Sequence, residues 1–200
     1  MRTKKQVVAE FRRAAIVDAG SRVFTRHGFV GGSVDMIARE AGLAKGTVYL
    51  YFRSKREIYR AVLMQEMQRM KHETIDSIDG KPDLRSKILT YLVTRISHVE
   101  NNRGIFRITD LEDARATLTR SQYHELVSEP VQKLSGAIAE AAKNGEIRCV
   151  DAERAAWGVA DLTRGAVQRR MLGHSHLPVE AEAEALLGFI WAALEKRAAR

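Results

Sequence analysis

The chain of 200 residues has one cysteine, three prolines and 6% aromatic residues. Cys149 alone closes no internal disulfide and founds no cysteine-based zinc site. Three prolines and no Gly/Ser tract leave little room for a long disordered linker. No apolar run approaches the ~20 residues that span a bilayer. The basic N-terminus is not followed by the apolar core of a signal peptide, so a cytoplasmic location and no membrane partner are expected. Strand-like alternation, internal repeats and low-complexity tracts are missing as well. No Ser/His/Asp set, phosphate-cradling glycine loop, metal cluster or paired carboxylate stands out, so an enzyme is not expected. His174 and His176 flank Ser175 without further ligands, so neither a metal nor a cofactor is expected.

What is present is ordinary for a folded protein, with 45% apolar and 29% charged residues and enough length to bury a core. The formal net charge is +8, and it is not spread evenly. Residues 1–60 hold 13 Lys and Arg against 5 Asp and Glu, whereas residues 61–200 hold 20 of each. The whole excess sits in the first third of the chain. A confined excess is an electrostatic footprint for a polyanion such as nucleic acid. A membrane surface is the competing reading, but the basic residues surround two short helices rather than one amphipathic surface helix.

Helical periodicity runs through nearly the whole sequence. From Gln6 to His27, Val8, Phe11, Ala15, Ile16, Ala19, Val23 and Phe24 recur at gaps of three and four. Gly28 supplies a stop with a left-handed cap, Gly31-Gly32 a turn and Ser33 an N-cap. A short helix carries Val34, Ile37, Ala38 and Ala41, with Asp35 in its first turn. Gly42 breaks it, and a second short helix runs from about Ala44 to Phe52. Ser54 and Glu57 have the spacing of a capping box opening a long helix to about Ile78. Helices follow at about 84–100, 118–143, 152–172 and 178–197, the second of these interrupted or kinked at Pro130.

Ala38, Gly42 and Val48 carry the chemistry of residues 33–52. A small Ala lets two helices cross closely, Gly turns the chain without a Cβ penalty, and Val48 fills the wedge. This is helix-turn-helix geometry, whose second helix lies in the major groove. The run from Ala41 to Lys55, AGLAKGTVYLYFRSK, closely resembles the signature of the TetR family of transcriptional regulators. Phe24–Phe29 and Ser33–Ala38 extend the resemblance, which covers about residues 10–60. It implies an all-α homodimer of about nine helices per subunit, with a helical bundle at the subunit contact. An operator-binding helix-turn-helix domain of three helices is expected at 1–53. An effector-binding and dimerisation domain is expected at 54–200.

The resemblance places Ser33, Lys45, Gly46, Thr47, Tyr49, Tyr51 and Lys55 at the DNA. Thr47 suits a phosphate or a thymine methyl, and Lys45 a guanine or a phosphate. Tyr49 and Lys55 resemble the family's phosphate-contacting tyrosine and lysine. Phe52 reads as core. Two positions depart from the family pattern. Ala44 stands where Ser or Thr is frequent and forgoes a cap of ~1 kcal/mol. Leu50 stands where His or Asn is frequent, so the operator differs there. Arg2, Lys4 and Lys5 read either as a solvated tail or as an arm to the adjacent groove.

In the C-terminal part, Met64, Met67, Tyr91, Arg95, Phe106, Tyr123 and Trp157 are candidates to line an effector pocket. Plain core is the competing reading for each. Arg95 shares a face with Ile88, Leu92 and Val99, where a charge needs a partner or must snorkel. Asp161 and Arg164 are expected to satisfy each other. By resemblance and by pattern, Ala160, Val167, Leu186, Phe189, Ile190 and Ala193 are expected in a dimer interface. The expected function is a regulator, a repressor released from double-stranded operator DNA by a small-molecule effector of unknown identity. A DNA binder without a small-molecule effector, or an activator, is the alternative.

Overall fold

The computed structural model describes residues 3–106, 120–149 and 151–195, without the side chains of Arg120 and Tyr123. Among the described residues the chain is all helix, with nine helices and no strand. They are α1 (Lys4–Gly31), α2 (Val34–Glu40), α3 (Lys45–Tyr51), α4 (Lys55–Asp79), α5 (Leu84–Asn101), α6 (Arg103–Phe106), α7 (Arg120–Lys143), α8 (Ala152–Met171) and α9 (Val179–Leu194). They pack as two compact units. One comprises the chain up to Met67 with residues 102–106; the other comprises Gln68–Asn101 and the described residues from Arg120 onward. The division therefore falls inside α4, after Met67.

The first unit extends into α4 because the start of that helix packs on α1. A Cβ on Gly20 would stand 3.0 Å from both Ile58 and Val62, so glycine permits the close crossing. The Tyr59 ring meets Phe24 edge-on at 5.2 Å and Phe29 at 4.8 Å. Gln65 donates to Asp18 and Ser21 to the buried Glu66, both at 2.8 Å. α6 joins the same unit. The Tyr59 hydroxyl donates to the Ile105 carbonyl at 2.6 Å, and Gly104 sits directly against the carbonyls of Phe24 and Thr25.

α1 starts earlier than its apolar periodicity predicts. Thr3 and Gln6 form a reciprocal capping box, with the Thr3 hydroxyl accepting from the Gln6 N–H and the Gln6 side chain accepting from the Thr3 N–H. Gly28 adopts φ 67°, which breaks the helix before its last turn. Only the carboxyl half of α1 is core, through Ile16, Val17, Ala19, Gly20, Val23 and Phe24. Val8 and Phe11, periodic with that stripe, are not part of the core, and Phe11 is 75% exposed.

The second unit has one core drawn from α4, α5, α7, α8 and α9, centred on Ile88, Tyr91, Leu92, Leu134, Ile138, Ala156 and Leu187. α7 runs through Pro130 without ending. Its neighbours Val127, Val131 and Leu134 are buried in that core, and their packing offsets the backbone bond that proline removes. α8 is capped by Asp151, whose carboxylate accepts from the Arg154 N–H at 2.9 Å. Arg170, near its end, is buried and bonds Glu100 at 3.2 Å and the Leu177 carbonyl. Glu182, also buried, takes Arg169 at 3.2 Å and Ser175. A buried charge needs such partners, and these tie the α8–α9 turn to the bundle.

Candidate nucleic-acid interface

The two short helices are set by local chemistry. The Ser33 hydroxyl caps α2 by accepting from the Met36 N–H at 3.2 Å. Gly42 takes φ 66°, and the Leu43 N–H returns to the Ala38 carbonyl at 2.9 Å. That left-handed turn is the step at which glycine is required. α3 begins at Ala44 with no side-chain cap, as the missing hydroxyl predicts. Val48 and Phe52 are buried and fix the orientation of α3. Arg13 braces its end, donating to the Tyr51 carbonyl at 3.0 Å and lying 4.1 Å above the Phe52 ring.

With Val48 inward, α3 turns Lys45, Gly46, Tyr49 and Leu50 to the outside. Tyr49 is 47% and Leu50 80% exposed, and a Cβ on Gly46 would meet nothing within 4 Å. Thr47 and Tyr51 are half-buried at the edges of this face. Leu50 was legible only as a departure from the family pattern, yet it is the most exposed large apolar residue of the helix. A leucine there suits a thymine methyl and offers no hydrogen bond.

The cations near this face are not equivalent. The Lys45 ammonium donates to the Asp35 carboxylate at 2.8 Å, and that bond raises the Lys45 pKa. Lys55 is tied differently from the expectation of a phosphate lysine. Its ammonium donates to the carbonyls of Phe29 at 2.7 Å and Gly32 at 3.0 Å and lies 4.4 Å from the Phe29 ring. An ammonium has three protons, so two are committed to the turn that presents Ser33. The capping box of α4 is shifted by one residue: Ser54 accepts from the Glu57 N–H at 3.2 Å, while Glu57 accepts from the Arg53 N–H at 2.7 Å. Behind α2, Glu40 clamps Arg22 at 2.6 Å and Arg26 at 3.4 Å. The Arg22 hydrogen bond holds its carboxyl below the usual range.

Lys4 and Lys5 open α1 and are not a loose arm; Arg2 lies outside the described residues. Lys4 and Lys5 line a shallow groove with Val8, Ala9 and Tyr51, the last residue of α3. The strong sequence signal for this overhang was Thr3-x-x-Gln6, the capping-box spacing, which apolar periodicity overlooks.

The remaining candidates separate between the units. Met64, Met67 and Phe106 belong to the first, with Met67 and Phe106 buried; Tyr91, Arg95 and Trp157 belong to the second. Tyr91 is fully buried. Arg95 is half-buried with its guanidinium 5.4 Å from the Tyr91 ring centre, a cation–π partner for the charge on that apolar face. Trp157 stacks on His124 at 6.4 Å. The side chain of Tyr123 lies outside the described residues. Asp161 and Arg164 pair at 2.7 Å.

Two of the residues expected at a subunit contact are placed elsewhere. Ala160 and Ile190 are buried in the core of their own unit, because the stripe Ala183–Leu187–Ile190–Leu194 is the face that α9 turns inward. Phe189 is 68% exposed, Ala193 is exposed, and Val167 and Leu186 are half-buried. Among the described residues no cluster of three or more His, Cys, Asp or Glu could hold a metal, and no helix is long and apolar enough to cross a membrane.

Residues 16–62, which span α1 to the start of α4, match the family described as bacterial regulatory proteins, tetR family. The chain is 27% identical over 134 residues to the fatty acid metabolism regulator protein of Bacillus subtilis, covering 66% of this chain and 69% of that protein. It is 26% identical over 183 residues to the transcriptional regulator TtgR of Pseudomonas putida, covering 86% and 84%. The crystal structure of the transcriptional regulator FadR from Bacillus subtilis in complex with stearoyl-CoA superposes with a TM-score of 0.70 at 23% identity, over 88% of this chain and 96% of that one. Helix-turn-helix geometry and the family match fall on the same segment: residues 16–62 belong with the tetR family of bacterial regulatory proteins, and the relatives that match along most of the chain are named as regulators.

Proposed function

We propose that the protein is a homodimeric repressor that binds double-stranded operator DNA through α3 and is released by a small-molecule effector. The observation that carries the reading is the outward face of α3. Lys45, Gly46, Tyr49 and Leu50 take no part in the core and project from a head that holds the chain's entire net positive charge. In this reading Lys45 and Leu50 meet base edges, while Ser33, Thr47, Tyr49 and Tyr51 meet the backbone. Lys55 acts chiefly by holding the Phe29–Gly32 turn. Lys4 and Lys5 extend the phosphate contacts outward along the groove beside Tyr51.

Residues 1–53 would read DNA, and 54–200 would bind the effector and the second subunit. Phe189 and Ala193, with Leu186 and Val167 at the margin, offer the apolar face for that subunit. A dimer places two recognition helices about 34 Å apart, one turn of duplex. Effector binding that favours a different separation is coupled negatively to DNA. The named function of the Bacillus relative, and the stearoyl-CoA in the FadR crystal, make long-chain acyl-CoA the first effector class to test.

The test is selection of duplexes from a random-sequence pool by the purified protein. The enriched duplex is then titrated with and without stearoyl-CoA, and small molecules that co-purify are identified by mass spectrometry. Enrichment of a two-fold symmetric sequence with release by a ligand is the expected result. Failure to enrich any sequence would overturn the DNA reading. Enrichment without release by stearoyl-CoA or any co-purifying molecule would overturn the effector reading.

A further inference from the structure

The Lys45–Asp35 pair is poorly explained as a stabilising contact. Both side chains are half-exposed, at 51% each, and exposed pairs contribute little to folding. The crossing of α2 and α3 is already fixed by buried Ile37, Ala38 and Val48 and by the Gly42 turn. What the pair does control is the first cation of the helix that faces outward for reading. We propose that Asp35 is a specificity-determining residue, restraining Lys45 from indiscriminate phosphate contact and reserving it for an acceptor-rich base edge. This inference rests on the reading of α3 as the DNA-contacting helix.

The physical reason lies in lysine itself. Its ammonium is a compact charge on a flexible stem, and it is attracted to any phosphate on any sequence. Bonded to Asp35 at 2.8 Å, it is held in one place and its field is largely cancelled. The pair as a whole carries no net charge, so a phosphate, which calls for charge, gains little from it even where a spare proton reaches an oxygen. A guanine edge asks for less. The ammonium has two further protons, which can meet O6 and N7 while the bond to Asp35 persists. The raised pKa of Lys45, caused first by the hydrogen bond to Asp35, agrees with an ammonium that keeps its proton in this contact.

The experiment compares wild type, Asp35→Asn, Lys45→Met and the double variant in the full-length protein. Two probes are used: the duplex enriched by wild type, and a scrambled duplex of equal composition. Asp35→Asn is expected to bind the scrambled duplex roughly threefold more tightly per head, or about tenfold for a dimer. Binding to the enriched duplex changes less, so the ratio between the two falls. The salt dependence on the scrambled duplex steepens, and Lys45→Met in the same chain cancels both effects. Asp35→Ser repeats the removal of charge, and thermal melting of each variant verifies the fold. An unchanged ratio, or equal weakening on both duplexes, would overturn the role of Asp35 and leave the DNA reading standing. A wild type that enriches no sequence would bring down both.

Discussion

A Cβ on Gly104 would stand 2.2 Å from the carbonyl oxygen of Phe24 and 2.3 Å from that of Thr25. No side-chain rotation relieves a clash with backbone on both sides. Gly104→Ala is therefore expected to force α6 away from α1, costing about 1–3 kcal/mol as an overpacked contact. Thermal melting should fall by several degrees. An unchanged melting temperature would show that the segment is free to move, and that the α1–α6 contact is not a fixed part of the head.

Lys55→Ala removes two charge-assisted hydrogen bonds to carbonyls at the end of α1. A loss of about 1–3 kcal/mol follows from bonds of that type, visible in chemical denaturation without any DNA. Affinity for all duplexes should weaken together, because the Ser33 turn is loosened. If stability is untouched while the salt slope on duplex DNA drops by about one, Lys55 is a phosphate contact and not a strap.

Acid should loosen the hold of α2 on α1. The Glu40 carboxyl is held below its ordinary value, first by the Arg22 hydrogen bond and then by the Arg26 and Arg22 charges against opposing desolvation. A depressed carboxylate pKa stabilises the fold above the unfolded value, and that contribution is lost as pH falls through the folded value. Stability between neutrality and acid should thus decline less steeply in Glu40→Gln than in wild type. Parallel pH profiles for the two proteins would remove the Glu40 clamp as a source of stability.

Phe189→Glu should leave each protomer folded, since the ring is 68% exposed, yet yield monomers with poor duplex affinity. Ile190→Glu, one position on, should instead unfold the second unit by burying an unpaired charge. Light scattering and circular dichroism separate the two outcomes. A dimer that survives Phe189→Glu refutes the proposed subunit face.

Neutralising the basic start of α1 tests its part in DNA binding. Lys4→Ala with Lys5→Ala removes no buried contact, since both residues are exposed, so melting should hold. The salt slope of duplex binding should fall by up to about two per head. An unaltered slope would assign the basic turn to solvent.

The legibility of the sequence followed the range of the interactions. The Gly42 turn, the Ser33 cap, the missing cap at Ala44 and the buried Phe52 depend on neighbours a few residues away, and each could be read directly. Long-range consequences could not. Periodicity shows that Ile190 and Phe189 are both apolar, but not which of them meets its own core. It shows Val8 and Phe11 in register with Phe24, but not that the core stops before them. Lys55 carries a motif that resembles a phosphate contact, whereas the carbonyls that hold it come from residues 23 and 26 positions earlier. Methionines and aromatics such as Met67 and Tyr91 look alike whether they fill a core or line a pocket, so the effector site was the least readable part.

Leu50 and Gly46 bear on how such a protein changes over time. α3 is anchored from within by Val48, while Gly46 and Leu50 on its outward face support nothing else in the fold. Mutations there are screened by the genome the protein reads and hardly at all by folding. A lineage can therefore wander between operators by single steps, each intermediate remaining a well-folded protein. The same separation makes α3 the natural place to install a new target sequence by design.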